Sequence, residues 1–234
     1  MKLYDLFYII KNKQNWNETG DKVNWVISKN TENGKTRILL LFEDSNGNRD
    51  WLNNLDFFSS IYSKVYKNQY SKHLLVHRGF ARAYKSAKDE IMKDLLNNID
   101  NNNDHEIIIA GWSHGGALAQ LAAEDFNFRT RKNIEDVDSG LKAVVVTFGS
   151  PKILIFNTTA NYVRSCCKEI IEVSQHNDII TKMPPFFKFK HISKKLNCVG
   201  SKFKISKIFK PQIYHASYDD KSIYKDHEFE NVDV

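Results

Sequence analysis

Three residue types that together activate a hydroxyl occur in order along the chain. The first is Ser113, inside Gly111-Trp112-Ser113-His114-Gly115. A serine hydroxyl attacks a carbonyl carbon only when a base takes its proton, and the base needs an acid to orient it. In a GxSxG turn between strand and helix the serine is held in a strained conformation with its hydroxyl above the sheet, and flanking glycines let the backbones pass closely. Downstream, Asp178 follows the apolar run Glu169 to Ser174, where an orienting carboxylate belongs. Three histidines lie beyond Met183-Pro184-Pro185: His191, His215 and His227. His215 opens His-Ala-Ser-Tyr, which reads as the start of a terminal helix or turn, and it is the first choice for the base. His191 lies among lysines close to the proline pair, and His227 sits near the C-terminus among Asp226, Glu228 and Glu230.

Such residues need a scaffold that delivers each to one edge. Arg37 to Phe42 (RILLLF), Ile107 to Ala110 (IIIA), Ala143 to Phe148 (AVVVTF) and Glu169 to Ser174 (EIIEVS) are short apolar runs of the kind buried on both faces of a sheet. Between them, Phe80, Ala83, Tyr84, Ala87, Ile91, Leu95 and Ile99 recur at spacings of three and four, which predicts a helix over 80–99. Asn97 to Asp104 reads as a polar loop, and Ala-Leu-Ala-Gln-Leu-Ala-Ala-Glu-Asp-Phe after the glycine turn reads as a second helix. Alternation of this kind predicts an α/β fold with a mainly parallel central sheet and helices on both faces. With no internal repeat and no linker, residues 1–234 form one domain.

Composition excludes several classes. The 234 residues are 41% hydrophobic with 10 Gly and 4 Pro, which is globular rather than disordered or collagen-like. No apolar run approaches the ~20 residues of a membrane-spanning helix. Leu3 to Ile10 contains Asp5 and lacks a small-residue cleavage site, so it is a poor signal peptide. Three cysteines make no disulfide framework and no CxxC metal pair. The expectation is a cytoplasmic or particle-associated protein with no metal and no organic cofactor. Net charge is +6, and it is unevenly placed. Residues 179–218 contain no acid but nine lysines: 182, 188, 190, 194, 195, 202, 204, 207 and 210. They interleave with Phe186, Phe187, Phe189, Phe203 and Phe209. Such a segment, here bounded as 182–210, is drawn to phosphates. Seven arginines in the whole chain are few for reading bases, so an anionic membrane surface is favoured over nucleic acid.

Taken together the motifs resemble the class 3 lipases of the α/β-hydrolase fold. Val76-His77-Arg78-Gly79-Phe80 is similar to the family's VHxGF, and Gly111 to Ala119 is similar to its GHSLGGALA elbow. Thr147-Phe148-Gly149-Ser150-Pro151-Lys152 resembles TFGSPR, and Asn177-Asp178 through Pro184-Pro185 resembles NDxVxxLPP. Lys190-His191 resembles a family histidine that is not the base, while Tyr214-His215-Ala216-Ser217-Tyr218 resembles the segment that supplies it. The resemblance spans about residues 36–219.

It implies Ser113 as nucleophile, Asp178 as acid and His215 as base. It also implies an oxyanion hole from the backbone N–H groups of Ser45 and His114. At the oxyanion strand the sequence departs from the family's Arg-Gly, carrying Glu43-Asp44 instead. The lid position falls on 46–62, where Trp51, Leu52, Leu55, Phe58 and Tyr62 share one helical face. Two functions follow as expectations. One is a serine lipase or esterase acting on acylglycerols or phospholipids through an acyl-enzyme, with transient attraction to anionic membrane. The other is a lipase-like lipid- or protein-binding module without turnover. Oligomeric state is not encoded legibly.

Overall fold

The computed structural model describes residues 1–21, 23–32, 35–43, 59–61, 74–100, 104–175, 178–193 and 197–199. In chain order the elements are α1 (Leu3–Asn12), β1 (Asn17–Thr19), β2 (Val23–Glu32), β3 (Lys35–Phe42), β4 (Ser59–Ile61), β5 (Leu75–His77) and α2 (Arg78–Asn97). They continue as β6 (Asp104–Trp112), α3 (His114–Thr130), β7 (Ala143–Phe148), β8 (Leu154–Ile155), α4 (Phe156–Ser165), β9 (Cys167–Gln175), β10 (Phe189–Lys190) and β11 (Asn197–Val199). A seven-stranded sheet runs in the order β1-β2-β3-β6-β7-β9-β11. Strands β3, β6, β7, β9 and β11 are parallel, and β1 and β2 are an antiparallel extension at one edge. A second, four-stranded sheet has the order β10-β8-β5-β4.

Period-two alternation sends successive side chains of each central strand into two different cores. Ile38, Leu40, Phe42, Ile107, Ile109 and Val145 pack with α2 and α3 on one face. Leu41, Ile108, Ala110, Val146, Phe148 and Val173 pack with α1 on the other. Helices therefore cover both faces, as the alternation of runs predicts. α1 is built from the stretch that reads as a poor signal peptide. Its Leu3, Leu6, Phe7 and Ile10 are buried, and Phe7 meets Trp112 and Phe148 at ring distances of 5.5 and 5.1 Å.

Several elements depart from the sequence reading. β2 was not expected, because WVISKNTE mixes apolar and polar residues on a half-covered antiparallel strand near the sheet's edge. α4 was not expected either, since FNTTANYVRS buries only Thr159, Ala160 and Val163. The apolar helix proposed within 46–62 does not extend through Ser59–Ile61, which form a strand pairing antiparallel with β5. Ladder hydrogen bonds to β5 supply there what a helix would have supplied internally. The remainder of 46–62 lies outside the described residues.

Candidate active site

The parallel sheet brings the ends of β6, β7 and β9 to one edge, and the candidate residues follow those ends. Ser113 occupies the single residue between β6 and α3, at φ 53° and ψ −115°. A non-glycine residue held there carries roughly 1–3 kcal/mol of backbone strain. Ser113 N–H donates to the Phe148 carbonyl at 2.8 Å, and Gly149 N–H donates to the Val173 carbonyl at 2.9 Å. These two bonds fasten the turn to the end of β7 and the end of β7 to β9.

The glycines are required by space. A Cβ on Gly111 would collide with the Gly115 carbonyl group. On Gly115 it would lie 2.5 Å from the Phe42 carbonyl oxygen and 2.6 Å from that of Glu43. On Gly116 it would lie 2.9 Å from Ser150 Cβ. Helix α3 thus starts against the end of β3, the strand that leads toward the proposed oxyanion residue. Ser150, in the TFGSP segment, accepts from Gln120 Nε2 at 2.9 Å and locks that segment to α3.

His114 opens α3, so its N–H points out of the helix's positive end. Its ring packs against Phe80 at 5.4 Å. Burial lowers the pKa of that imidazole to about 4, so it is neutral at physiological pH. Whatever His114 contributes to a developing anion comes from its backbone, not from a charged ring.

Asp178 is fully buried beyond the end of β9. Its Oδ1 accepts from Ile180 N–H at 2.9 Å, its N–H donates to the Gln175 carbonyl at 3.0 Å, and its carbonyl accepts from Thr181 Oγ1 at 2.8 Å. The carboxylate is therefore fixed by the short 3-10 turn Ile180–Lys182. Ser113 and Asp178 follow strands separated only by β7, so their strand ends lie about 10 Å apart across the sheet.

His191, one of the three candidate bases, has another task. Nδ1 meets Glu172 Oε1 at 2.7 Å and Nε2 meets the Thr181 carbonyl at 2.8 Å. A carbonyl oxygen only accepts, so Nε2 carries a proton and neither nitrogen is placed to receive one from Ser113. Glu172, 1% exposed on β9, also accepts from Ser193 N–H at 3.1 Å. The cluster ties β9, the Asp178 turn and the chain after β10 together. The sequence shows Glu172 only as a polar interruption in an apolar run.

Ser45, the lid residues Trp51, Leu52, Leu55, Phe58 and Tyr62, and His215 and His227 lie outside the described residues. So do all lysines of 182–210 except Lys182, Lys188 and Lys190. Glu43 is described, and it turns aside along the sheet: Oε2 accepts from Asn24 Nδ2 of β2 at 2.7 Å. Cys166 and Cys167 offer no competing nucleophile. Both are buried, which pushes the Cys166 thiol up to about 12 and Cys167 higher still. Among the described residues no cluster of His, Cys, Asp or Glu could hold a metal ion.

A mainly parallel sheet, helices on both faces and a strained serine between strand and helix define an α/β-hydrolase. Residues 39–188 match the family model Lipase (class 3), and the chain belongs to that family. It is similar to the Saccharomyces cerevisiae protein named "Putative lipase LIH1", with 25% identity over 197 residues, 72% of this chain and 57% of that protein. The structure resembles Rhizomucor miehei triacylglyceride lipase at TM-score 0.59 and 23% identity, covering 75% of this chain and 62% of that one. It also resembles a triacylglycerol lipase whose catalytic centre is formed by a serine protease triad, with TM-score 0.59, 24% identity and the same coverage, 75% and 62%. The chain thus spans about three fifths of the length of these relatives.

Proposed function

We propose that this chain is a serine hydrolase of lipid carboxylic esters, with acylglycerols or phospholipids as substrates. The observation that carries the reading is the backbone of Ser113. Its positive φ, at the mouth of α3 and between two closely packed glycines, is backbone strain of the kind that a nucleophile turn holds.

In this mechanism His215 takes the Ser113 hydroxyl proton as Oγ attacks the ester carbonyl. Asp178 accepts the imidazole N–H and steadies the imidazolium that forms. The tetrahedral oxyanion is met by the N–H groups of His114 and Ser45, each worth about 3 kcal/mol in the transition state. The alcohol leaves with the proton from His215, giving an acyl-enzyme. Water, deprotonated by the same imidazole, then releases the fatty acid and restores Ser113. The relative with a serine protease triad at its centre supports this assignment of roles. The sideways turn of Glu43 supports turnover over the binding-module reading, since that carboxylate is occupied by Asn24.

The test is hydrolysis of p-nitrophenyl esters and of emulsified acylglycerols and phospholipids by wild type and Ser113→Ala. Turnover by wild type, abolished by the substitution, is expected. Folded wild type without turnover on any ester would overturn the reading.

A further inference from the structure

Beside the Asp178 turn the surface carries large exposed rings. Phe187 is 96% exposed, Phe186 is 50% exposed and Phe156 is 51% exposed. Phe156 also sits at φ 64°, a conformation that a bulky side chain adopts only at an energetic cost. The pairing of β8 with β10 puts these groups together. Ile155 opposes Phe189 and both are buried, and Phe156 N–H donates to the Lys188 carbonyl at 2.8 Å. Phe156 opens α4 with its ring half exposed, and Lys188 and Lys190 flank buried Phe189 and are themselves half-buried. Phe186 and Phe187 form the turn that leads into β10, where Phe189 N–H donates to the Phe186 carbonyl at 3.1 Å.

The rim of these rings is cationic. Lys188 Nζ lies 5.3 Å from the centre of the Phe189 ring. Partial burial and the neighbouring Lys190 ammonium together hold the pKa of Lys152 below its ordinary value, a sign that these two cations are crowded. Among the described residues, α4 contains no acid, and Glu172 and Asp178 are buried at 1% and 0% exposure. Exposed rings within a cluster of ammonium groups match a layer that is anionic outside and hydrocarbon beneath. The surface is also packed onto the nucleophile turn. Phe189 meets His77 at 5.7 Å, His77 meets Phe80 at 4.9 Å, and Phe80 meets His114 at 5.4 Å.

We propose that Phe156, Phe186 and Phe187, with Lys152, Lys188 and Lys190, are a docking surface for an anionic phospholipid bilayer. The rings enter the upper acyl region and the lysines meet lipid phosphates. What docking would serve rests on the lipid-ester reading above, but the contact itself does not require turnover.

The experiment therefore uses the full chain carrying Ser113→Ala. Sedimentation is measured with phosphatidylcholine vesicles and with vesicles that are roughly one third phosphatidylglycerol. Binding to the anionic vesicles alone is expected, falling about tenfold or more in Phe186→Ser/Phe187→Ser and in Lys188→Glu/Lys190→Glu. A separate Phe187→Trp chain, which keeps an aromatic ring and so does not depend on the double variants folding, should lose fluorescence on vesicles with brominated acyl chains. Absence of vesicle binding, binding unchanged in both folded double variants, or an unquenched tryptophan would each overturn the proposal. The surface would then belong to a protein partner or to the chain's own C-terminal residues. Docking intact in a folded wild-type chain that turns over no ester would instead count against the hydrolase reading alone.

Discussion

His191 Nδ1 lies 2.7 Å from Glu172 Oε1, joining the chain after β10 to a buried carboxylate of β9. The other nitrogen of the same ring bonds the turn that holds Asp178. His191→Ala leaves Glu172 buried with Ser193 N–H as the one remaining hydrogen-bond partner among the described residues, and should cost about 3 kcal/mol or more. The measurement is chemical denaturation. Because His191 is not the base, the folded variant should keep reactivity at Ser113, whereas His215→Ala should lose it with little change in stability. Equal loss of reactivity in both would contradict that division of roles.

Glu124 lies inside α3, 2% exposed, and accepts from Tyr162 Oη at 3.1 Å. Burial, followed by the neighbouring Asp125 charge, raises its pKa from 4.5 to about 8. The folded chain therefore keeps a proton that the unfolded chain releases above its ordinary pKa. Stability from this group is complete below about pH 4.5 and drains away as pH rises toward 8. The slope is at most about 1.4 kcal/mol per pH unit. Glu124→Gln should flatten the decline in melting temperature between those values. An unchanged slope would show that Glu124 ionises freely in the fold.

Gly115→Ala should be far more damaging than its size suggests. The added carbon would lie 2.5 Å from a backbone oxygen at the end of β3, which cannot step aside as a flexible side chain could. A loss of roughly 2 kcal/mol or more is expected in denaturation, together with loss of reactivity at Ser113 as α3 shifts. Wild-type reactivity in a folded Gly115→Ala protein would show that the close approach of α3 and β3 is dispensable.

Tyr84 Oη donates to Asp125 Oδ2 at 2.9 Å, and Arg129 Nε donates to Asp125 Oδ1 at 2.7 Å. All of Asp125 is buried. Tyr84→Phe removes one donor from a buried carboxylate and should cost about 1–3 kcal/mol in denaturation without altering ester turnover. A neutral effect would mean that Arg129 alone satisfies Asp125.

The four central strands were legible because burial on both faces leaves uninterrupted apolar runs, and α2 because one-sided burial leaves a helical period. Helix α3 is buried all round and was legible instead from the small and apolar residues after the glycine turn. The nucleophile turn was legible for a stricter reason: backbone crowding at Gly111, Gly115 and Gly116 leaves no alternative residue. Asp178 could be located by its place after a strand. β2 and α4 were hidden because their polar residues outnumber the apolar ones that they bury. The Glu172–His191 bond was hidden because its partners are 19 residues apart and meet only once the Asp178 turn has folded between them. The same turn separates His191 from the role of base that its place in the sequence left open. Ser45 rests on resemblance and His215 on its place in the sequence together with resemblance, and both lie outside the described residues.

The most direct test is reaction of the full chain with a fluorophosphonate, with the adduct located by mass spectrometry. Ser113 is buried, so the reaction is run with and without lipid vesicles. A base-activated serine predicts one adduct, on Ser113, lost in Ser113→Ala and in His215→Ala and slowed in Asp178→Asn. A folded wild-type chain that takes no label under either condition, or that is labelled at a different residue, would contradict the assignment of Ser113 as nucleophile.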